Sequence, residues 1–268
     1  MPLQPFSKFL PQGFKADFTE VCGIDEVGRG CWAGPLVACA LMFNEDIKIK
    51  DLKDSKQLTK EKREEVFEML SQAKKEQKVF FGVGISEVHE VDDLGVIKAN
   101  NLAFVRALKE MVKAGAAQNS GLKKFKASEN IKKSQRKFSA PKFLLVDGRD
   151  KLLLPYPFAT VIKGDEKIKM IACASIIAKV TRDRMMCELA KKYPEYGFEL
   201  HKGYGTERHQ QAINEHGITA IHRRHYKPVY MTFQATLPFG DGTICQSNTE
   251  HRKSFLGKCQ IQPRLKDF

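Results

Sequence analysis

Five short apolar runs, each about the length of a β-strand, constrain the fold of this chain more than any other feature of its sequence. They are rich in β-branched and aromatic residues and have Gly or Pro at their edges, which is typical of buried strands. The predicted strands are Glu20–Asp25, Pro35–Phe43, Val79–Ile85, Phe143–Val146 and Phe158–Ile162. A glycine-rich turn joins the first two, which indicates that they are adjacent in the sheet.

Helical patterns accompany the later strands. The predicted helices are Thr59–Lys75, Val91–Val112, Lys167–Lys191 and a short one from Thr206 to Ile213. Early strands followed by an alternation of strands and helices predict an α/β layer fold with a mixed sheet. We expect its first half to be antiparallel and its later strands to be joined by crossover connections.

The charge of the chain indicates a polyanionic partner. Its 268 residues include 45 Lys and Arg against 32 Asp and Glu, a net charge of +13, which suits nucleic acid or an anionic membrane surface. No stretch approaches the roughly 18 apolar residues that span a bilayer. The N-terminal residues also lack the apolar block of a signal peptide. We therefore expect nucleic acid, and no membrane, as the partner.

The seven cysteines indicate a reducing environment. No two of them have C-x-x-C spacing and no matching set of histidines accompanies them, so a zinc site is not supported. Several lie inside apolar runs, where a thiol packs as a small hydrophobic group. We therefore expect free thiols and a cytoplasmic location.

Two segments interrupt the pattern of strands and helices. Residues 114–140, called the basic insert below, carry seven Lys or Arg and one Glu, a net charge of +6. Their Ser, Asn, Gln and Gly content cannot build a core, so we interpret the insert as a surface loop. Such a loop either contacts nucleic acid or is simply solvated. Residues 230–268 form a C-terminal tail without clear periodicity, and the sequence assigns it no role.

Carboxylates lie at the ends of three predicted strands. Asp25 and Glu26 stand immediately before the turn Gly28–Gly30, Asp147 ends the fourth strand, and Asp165 follows the fifth. Neighbouring side chains on a strand point to opposite faces, so the first two can meet only where the strand ends or twists. The carboxyl ends of strands are where open α/β sheets place their sites. The four acids are therefore candidates for one site.

Four clustered carboxylates need protons or cations to neutralise them. Hard oxygen ligands without nearby Cys or His suit Mg²⁺ or Mn²⁺, and on a basic protein they suit two-metal phosphodiester hydrolysis. Taken singly, Asp147 or Asp165 is better explained as a solvated surface residue or a helix cap, whereas the Asp25–Glu26 pair beside the glycine turn is not. The glycine turn superficially resembles a dinucleotide-binding loop, but acids directly before it would repel a pyrophosphate, and a strand follows it instead of a helix.

These residues belong to an ordered set of motifs. The set comprises GIDEVGRG with AGPLVACA, DSKQLT, FLLVDG, VIKGDEKIKMIACASIIAKVTRDR, and HKGYGTERH with IHRR. In this order the motifs resemble type 2 ribonuclease H, and within it the bacterial ribonuclease HII family, over residues 21–229. The resemblance implies an RNase H-like fold, with a five-stranded mixed β-sheet flanked by helices and a helical C-terminal part. Residues 1–20 would be a lead into this catalytic domain.

The resemblance also implies an activity and a set of site residues. The activity is hydrolysis of the RNA strand of RNA–DNA hybrids, and cleavage on the 5′ side of ribonucleotides embedded in duplex DNA, leaving 5′-phosphate and 3′-hydroxyl ends. The implied catalytic residues, which hold two divalent cations (Mg²⁺ or Mn²⁺), are Asp25, Glu26, Asp147 and Asp165. The implied substrate-binding residues are Gly28, Arg29, Gly30, Lys56, Lys179 and Tyr204. In the family the glycine turn reads the ribose 2′-hydroxyl through its backbone, and the tyrosine stacks at the RNA–DNA junction. We expect a basic nuclease of this class to be a monomer.

Some residues depart from the family pattern or compete with it. Asp183 is a rival ligand, which we interpret as a structural partner of Arg182 or Arg184. Gly95 replaces an expected asparagine, and Asn100 stands where a threonine is common.

Two other functions are compatible with the fold and the charge. The chain could be another nuclease of this fold, such as a resolvase or transposase, but the glycine turn and Tyr204 would then lack a purpose. It could also bind nucleic acid without catalysis. The intact carboxylate set argues against that function, because acids that are not neutralised weaken phosphate binding.

Overall fold

The described part of the chain forms two compact units. The computed structural model describes residues 3–49, 52, 58–125 and 137–236. The first unit takes in the chain up to Arg29 together with Pro35–Arg184, and the second takes in Gly30–Gly34 together with the chain from Met185. None of the helices in these ranges has both the length and the apolar character needed to cross a lipid bilayer.

A five-stranded mixed sheet is the framework of the first unit. Its strands are β1 (Val21–Val27), β2 (Leu36–Phe43), β3 (Val79–Ser86), β4 (Phe143–Asp147) and β5 (Phe158–Val161). They lie in the order β3-β2-β1-β4-β5. Strand β2 pairs antiparallel with β1 and with β3, whereas β4 pairs parallel with β1 and with β5. The predicted α/β class and the mixed sheet are therefore confirmed.

Helices follow the strands as predicted, with two capped as the sequence indicated. The helices are α1 (Lys60–Lys75), α2 (Val88–Leu94), α3 (Val96–Phe125), α4 (Gly164–Lys167), α5 (Lys169–Lys192), α6 (Phe198–His201), α7 (Glu207–His216) and α8 (Lys227–Thr236). The Thr59 side chain accepts a hydrogen bond from the Lys62 N–H (3.3 Å), and Thr206 accepts one from the His209 N–H (3.3 Å). Each cap satisfies a backbone donor that the first helical turn would leave unpaired.

The single helix predicted over Val91–Val112 is wrong, because the chain breaks at Gly95. Helix α2 ends there, where Gly95 has a φ of +77° and its N–H donates to the Val91 carbonyl (3.0 Å). A positive φ favours glycine over any residue with a Cβ, which accounts for glycine at this position. Helix α3 then begins at Val96.

The basic insert is not a loop throughout, as the sequence had indicated. Helix α3 continues to Phe125, so the first part of the insert is helical. At its other end the buried Phe138 ring lies directly against Gly115 and makes an edge contact with Phe80, with ring centroids 4.8 Å apart. This apolar anchor binds both ends of the insert to the core. Residues 126–136 of the insert and 237–268 of the tail lie outside the described residues.

Each face of the sheet packs against one long helix. On one face α5 covers odd-numbered β1 residues such as Val21, and on the other α3 covers even-numbered ones such as Ile24. Helix α5 approaches β1 very closely, because a Cβ on Gly23 would lie 2.5 Å from the Met170 carbonyl carbon. This alternation places Asp25 on the α5 side and Glu26 on the α3 side.

The second unit is helical and has a core of its own. Tyr196, Phe198, Ile213 and Val229 pack together with Ala33, which comes from the short segment Gly30–Gly34. That segment is hydrogen-bonded on two sides: the Trp32 and Ala33 N–H groups donate to the Gly203 carbonyl (2.8 and 3.2 Å), and the Arg223 N–H donates to the Trp32 carbonyl (2.7 Å). The helical C-terminal part expected from the resemblance is present.

Candidate active site

Asp25 and Asp147 lie side by side on neighbouring strands. Strands β1 and β4 are parallel with Ile24 opposite Val146, so the next residue on each strand is an aspartate. Both aspartates follow a residue that faces α3, and both therefore face α5. Asp25 is buried, and the Ser175 hydroxyl from α5 donates a hydrogen bond to it. The sheet register thus brings together two of the predicted ligands.

The turn after β5 places Asp165 beside this pair. Asp147 lies opposite Val161, the last residue of β5. Lys163 adopts a left-handed conformation with a φ of +56°, and α4 begins directly after it. The Gly164 N–H then donates to Asp147 Oδ1 (2.6 Å), which fixes the start of α4 against the end of β4. Asp165, the next residue, is buried.

The pKa of Asp25 reflects the charges of the other three carboxylates. Burial raises the pKa of Asp25 well above its usual range, and the charges of Glu26, Asp147 and Asp165 raise it further, against the hydrogen bond from Ser175. Like charges close to a buried carboxylate disfavour its ionised form. Asp25 is therefore the carboxylate on which the other three predicted catalytic residues act.

Glu26 and Arg29 form the second part of the cluster. Burial raises the pKa of Glu26 to about 7, with the Arg29 charge opposing this rise and the Asp147 charge adding to it. Arg29 Nη1 lies 3.2 Å from Glu26 Oε1 and 2.7 Å from Asp150 Oδ2. The arginine of the glycine turn thus faces Glu26 and partly neutralises its charge.

The sheet explains how side chains from opposite faces of β1 reach one site. Strand β4 ends at Asp147, beside Asp25, whereas β1 continues to Val27. Glu26 therefore lies beyond the last residue of β4. Its carboxylate can approach that of Asp25 around the end of the neighbouring strand. From the sequence, the two side chains could meet only if β1 ended or twisted at this point. Strand β1 instead continues past Glu26, and it is the end of β4 that leaves space for the two carboxylates to approach each other.

The donor set fits a hard divalent cation. Glu26 Oε2 and Asn100 Oδ1 are buried oxygens that have no hydrogen-bond partner within the described ranges. Buried acceptors of this kind are costly unless a donor or a cation satisfies them. Across those same ranges, no three or more His, Cys, Asp or Glu side chains already converge closely enough to hold a metal ion. Asp25, Asp147 and Asp165 instead each accept a backbone N–H hydrogen bond, at 2.6–3.1 Å.

The two glycines of the turn have different surroundings: Gly28 packs against a buried side chain, and Gly30 is exposed. Gly28 has a φ of +96°, and a Cβ there would overlap the side chain of Arg182. Arg182 is fully buried and donates from Nε to the Pro35 carbonyl (2.9 Å), so its side chain is held against Gly28. Gly30, in the second unit, is exposed, and no atom lies within 4 Å of a Cβ built on it. The backbone at Gly28 is therefore closely packed, whereas Gly30 itself leaves room for a ligand.

Tyr204 belongs to the second unit, where its side chain is 40% exposed. Its backbone forms an isolated bridge with Cys31, one residue after the glycine turn. Its N–H donates to the His201 carbonyl (2.9 Å). The predicted stacking residue thus combines a fixed backbone with an accessible ring.

Of the two lysines predicted to contact phosphates, the structure describes only Lys179. Lys179 pairs with Asp183 (2.8 Å), one turn further along α5. Arg184 instead contacts Glu64 and Glu68 on α1, so its expected pairing with Asp183 is not seen. Lys56 lies outside the described residues.

Sequence reasoning missed several residues that act on the carboxylates. Ser175 and Asn100 come from the two helices that cover the sheet, and only the packing shows which of their residues meet the site. Asp150 was recognisable in principle, because it follows Asp147 closely in the loop after β4. Arg182 lay in a quoted motif but was considered only as a partner of Asp183.

Fold and carboxylates together define a nuclease of the RNase H-like class. A solved structure with this fold is the ribonuclease H2 of Pyrococcus horikoshii OT3, which is 26% identical with a TM-score of 0.54 and covers 80% of this chain and 97% of that one. This similarity, with the five-stranded mixed sheet of this chain, confirms the predicted fold class.

Similar proteins of known family show which branch of this class the chain belongs to. The ribonuclease HII of Bacillus licheniformis is 40% identical over 209 residues, covering 78% of this chain and 70% of the relative. That of Clostridioides difficile is 37% identical over 224 residues, covering 84% and 76%. The family model for ribonuclease HII matches residues 22–229. The chain belongs to the ribonuclease HII family and is a metal-dependent nuclease that hydrolyses phosphodiester bonds.

Proposed function

We propose that this enzyme hydrolyses the RNA strand of RNA–DNA hybrids and cleaves on the 5′ side of ribonucleotides embedded in duplex DNA. The observation that carries the proposal is the set of carboxylates Asp25, Glu26, Asp147 and Asp165 at the ends of neighbouring strands, with Arg29 of the glycine turn in contact with Glu26. The cluster suits phosphodiester chemistry, and the turn suits recognition of a sugar. The net charge of +13 favours a nucleic acid as the partner.

The four carboxylates would hold two divalent cations, Mg²⁺ or Mn²⁺. When bound, such cations activate a water molecule and stabilise the leaving oxygen. The protein's own residues prepare the ligands: Ser175 orients Asp25 and the Gly164 N–H orients Asp147. Arg29 limits the repulsion at Glu26 by lying 3.2 Å from it.

Recognition of a lone ribonucleotide depends on its 2′-hydroxyl, the group that distinguishes it from its deoxyribose neighbours. Gly28 and Gly30 allow backbone groups to approach that sugar, because neither carries a side chain. Tyr204 would stack on the following deoxyribose, where an extra hydroxyl would crowd the ring. Lys56 and Lys179 remain proposed phosphate contacts. Contact at the 2′-hydroxyl would place the phosphate on the 5′ side of the ribonucleotide at the carboxylates, which predicts 5′-phosphate and 3′-hydroxyl products.

A panel of three end-labelled duplexes tests this proposal: a continuous RNA–DNA hybrid, an all-DNA duplex and a DNA duplex with one ribonucleotide. We expect Mg²⁺-dependent cleavage of the first and third only, with the cut mapped to the 5′ side of the ribonucleotide. Cleavage of all-DNA substrates or of branched junctions would instead indicate a resolvase-like nuclease. Products with a 2′,3′-cyclic phosphate would contradict the proposed chemistry.

A further inference from the structure

Three histidines are buried together in the second unit, apart from the acidic residues to which the chemistry is assigned. His209 and His222 are almost fully buried, and His201 is 9% exposed. The His201 and His209 rings stack with centroids 4.5 Å apart, and the Nε2 atoms of His209 and His222 are 3.1 Å apart. Buried polar rings need hydrogen-bond partners. The hydrogen bonds of these three rings form a network that includes the backbone of Tyr204.

The proton positions in this network follow from its two ends. The Thr219 N–H can only donate, and it lies 2.9 Å from His222 Nδ1, so His222 carries its proton on Nε2. That proton is donated to His209 Nε2, which leaves the His209 proton on Nδ1. His209 Nδ1 then donates to the Tyr204 carbonyl, which can only accept (2.9 Å). Burial lowers the pKa of His209 to about 4 and that of His222 to about 3, so both rings are neutral, as this chain of bonds requires.

His201 holds the other side of the same turn. Its Nε2 donates to the Tyr196 carbonyl (2.8 Å), and its Nδ1 accepts from the Gly203 N–H (3.2 Å). Its backbone carbonyl accepts the Tyr204 N–H (2.9 Å). The peptide groups on both sides of Tyr204 are therefore fixed by histidines, whereas the Tyr204 ring stays exposed.

We propose that His209, oriented by His222, is a positioning residue that fixes the Tyr204 turn and so sets the preference for the RNA–DNA junction. The inference rests on the proposed function, in which the Tyr204 ring stacks at that junction. A ring that is accessible but attached to a rigid turn loses little freedom when it stacks, because its backbone is ordered in advance. Loss of the hydrogen bond from His209 would allow the turn to move and would weaken discrimination more than chemistry.

Two amide substitutions at His209 separate positioning from packing. In His209→Asn the amide nitrogen takes the place of Nδ1 and keeps the bond to Tyr204, whereas in His209→Gln it takes the place of Nε2 and loses that bond. The quantity measured is kcat/KM on the single-ribonucleotide duplex divided by kcat/KM on the continuous hybrid. We expect His209→Asn to stay within about twofold of the wild type. We expect His209→Gln to lower the ratio about five- to tenfold, the effect of one lost hydrogen bond.

A second pair of variants, at His222, and the fluorescence of Trp32 allow the test to be completed if one His209 variant folds poorly. His222→Gln keeps the donor to His209 and His222→Asn loses it, so the same contrast should recur there. Trp32, the chain's single tryptophan, has its ring centroid 5.6 Å from that of His209, and its emission reports the packing of the network. His216→Gln, on the same helix α7, is the matched control. An equal fall of the ratio within both pairs would mean that the histidines act only through stability, and the positioning role would be wrong.

Tyr204→Ala separates failure of this inference from failure of the proposed function. If Tyr204→Ala leaves the ratio unchanged, the junction-stacking role itself is wrong, whatever the histidine variants do. If Tyr204→Ala lowers the ratio but His209→Gln does not, stacking stands and the positioning role of His209 is overturned. The inference is supported when Tyr204→Ala, His209→Gln and His222→Asn all lower the ratio while the hybrid is cleaved at a near-normal rate.

Discussion

Glu26→Gln is expected to stabilise the metal-free enzyme at neutral and alkaline pH. Burial raises the pKa of Glu26 to about 7 from its ordinary 4.5, so the folded state binds this proton more tightly than the unfolded state does. The group therefore makes no difference to stability below the unfolded pKa. Its penalty grows as pH rises through the interval from 4.5 to about 7 and is complete above it. Glutamine cannot ionise and escapes this penalty.

The size of the effect follows from the same shift. Between the two pKa values lie about 2.5 units, or about 3 kcal/mol at 1.36 kcal/mol per unit. The pKa of about 7 already includes the favourable contact of Glu26 with Arg29, so the loss of that contact in the variant adds no separate cost. The expected gain is therefore about 3 kcal/mol at pH 8, and below about 1 kcal/mol at pH 5.

Urea unfolding in EDTA at pH 8 and pH 5 measures this difference. Glu188→Gln is the control, because Glu188 is an exposed carboxylate on α5 and its substitution should change stability little at either pH. Addition of Mg²⁺ should stabilise the wild type more than Glu26→Gln, since the variant has lost a proposed ligand. A variant less stable than the wild type at pH 8, or a gain equal at both pH values, would refute the argument that Glu26 is held in a repulsive site.

Three further predictions concern catalysis and binding. Asp147→Asn should lower the turnover of RNA–DNA hybrids by orders of magnitude, while its affinity for the hybrid stays equal or rises. Calorimetry should show that this variant binds Mn²⁺ more weakly than the wild type. The control, Asp183→Asn, should keep normal turnover. Gly28→Ala should lower the melting temperature, because a Cβ there meets Arg182. Gly30→Ala should leave melting unchanged and slow cleavage at single ribonucleotides. The double variant Lys132→Gln, Lys133→Gln tests whether the basic insert contacts phosphates. If it does, the affinity for the hybrid should depend less steeply on salt concentration than in the wild type, and an unchanged dependence would mean that the insert is simply solvated.

The sheet was predictable because its strands are apolar and short. The pairing of β1 with β2 was predictable from the short glycine-rich turn between them, whereas the order of all five strands was not, because α1 separates β2 from β3. The break at Gly95 was missed because the apolar spacing runs on across it. The helical start of the basic insert was missed because its composition indicated no core. Its helix is anchored by Phe138 against Gly115, a contact between residues distant in sequence.

The positions of the carboxylates at the sheet edge were predictable, but their surroundings were not. Asp25, Glu26 and Asp147 stand at the carboxyl ends of adjacent strands, and the sheet order alone brings such positions together. The residues that tune them come from helices, and their contacts depend on how each helix rotates against the sheet. These residues are Ser175, which forms a hydrogen bond to Asp25, and Asn100, which forms one to Glu26. The Tyr204 network was hidden for the same reason, because histidine spacing in sequence does not show which ring nitrogens meet.

The parallel pairing of β1 with β4 has a consequence for how the chain folds. Val21 pairs with Phe143, across a separation of 143 − 21 = 122 residues, whereas β1, β2 and β3 pair with their neighbours in sequence. Contacts between distant residues carry a larger entropic cost of loop closure than those of the β1–β2 hairpin. Asp147 joins Asp25 only when this long-range ladder closes. The repulsion between these two carboxylates therefore adds to the cost of the pairing that already has the longest loop to close.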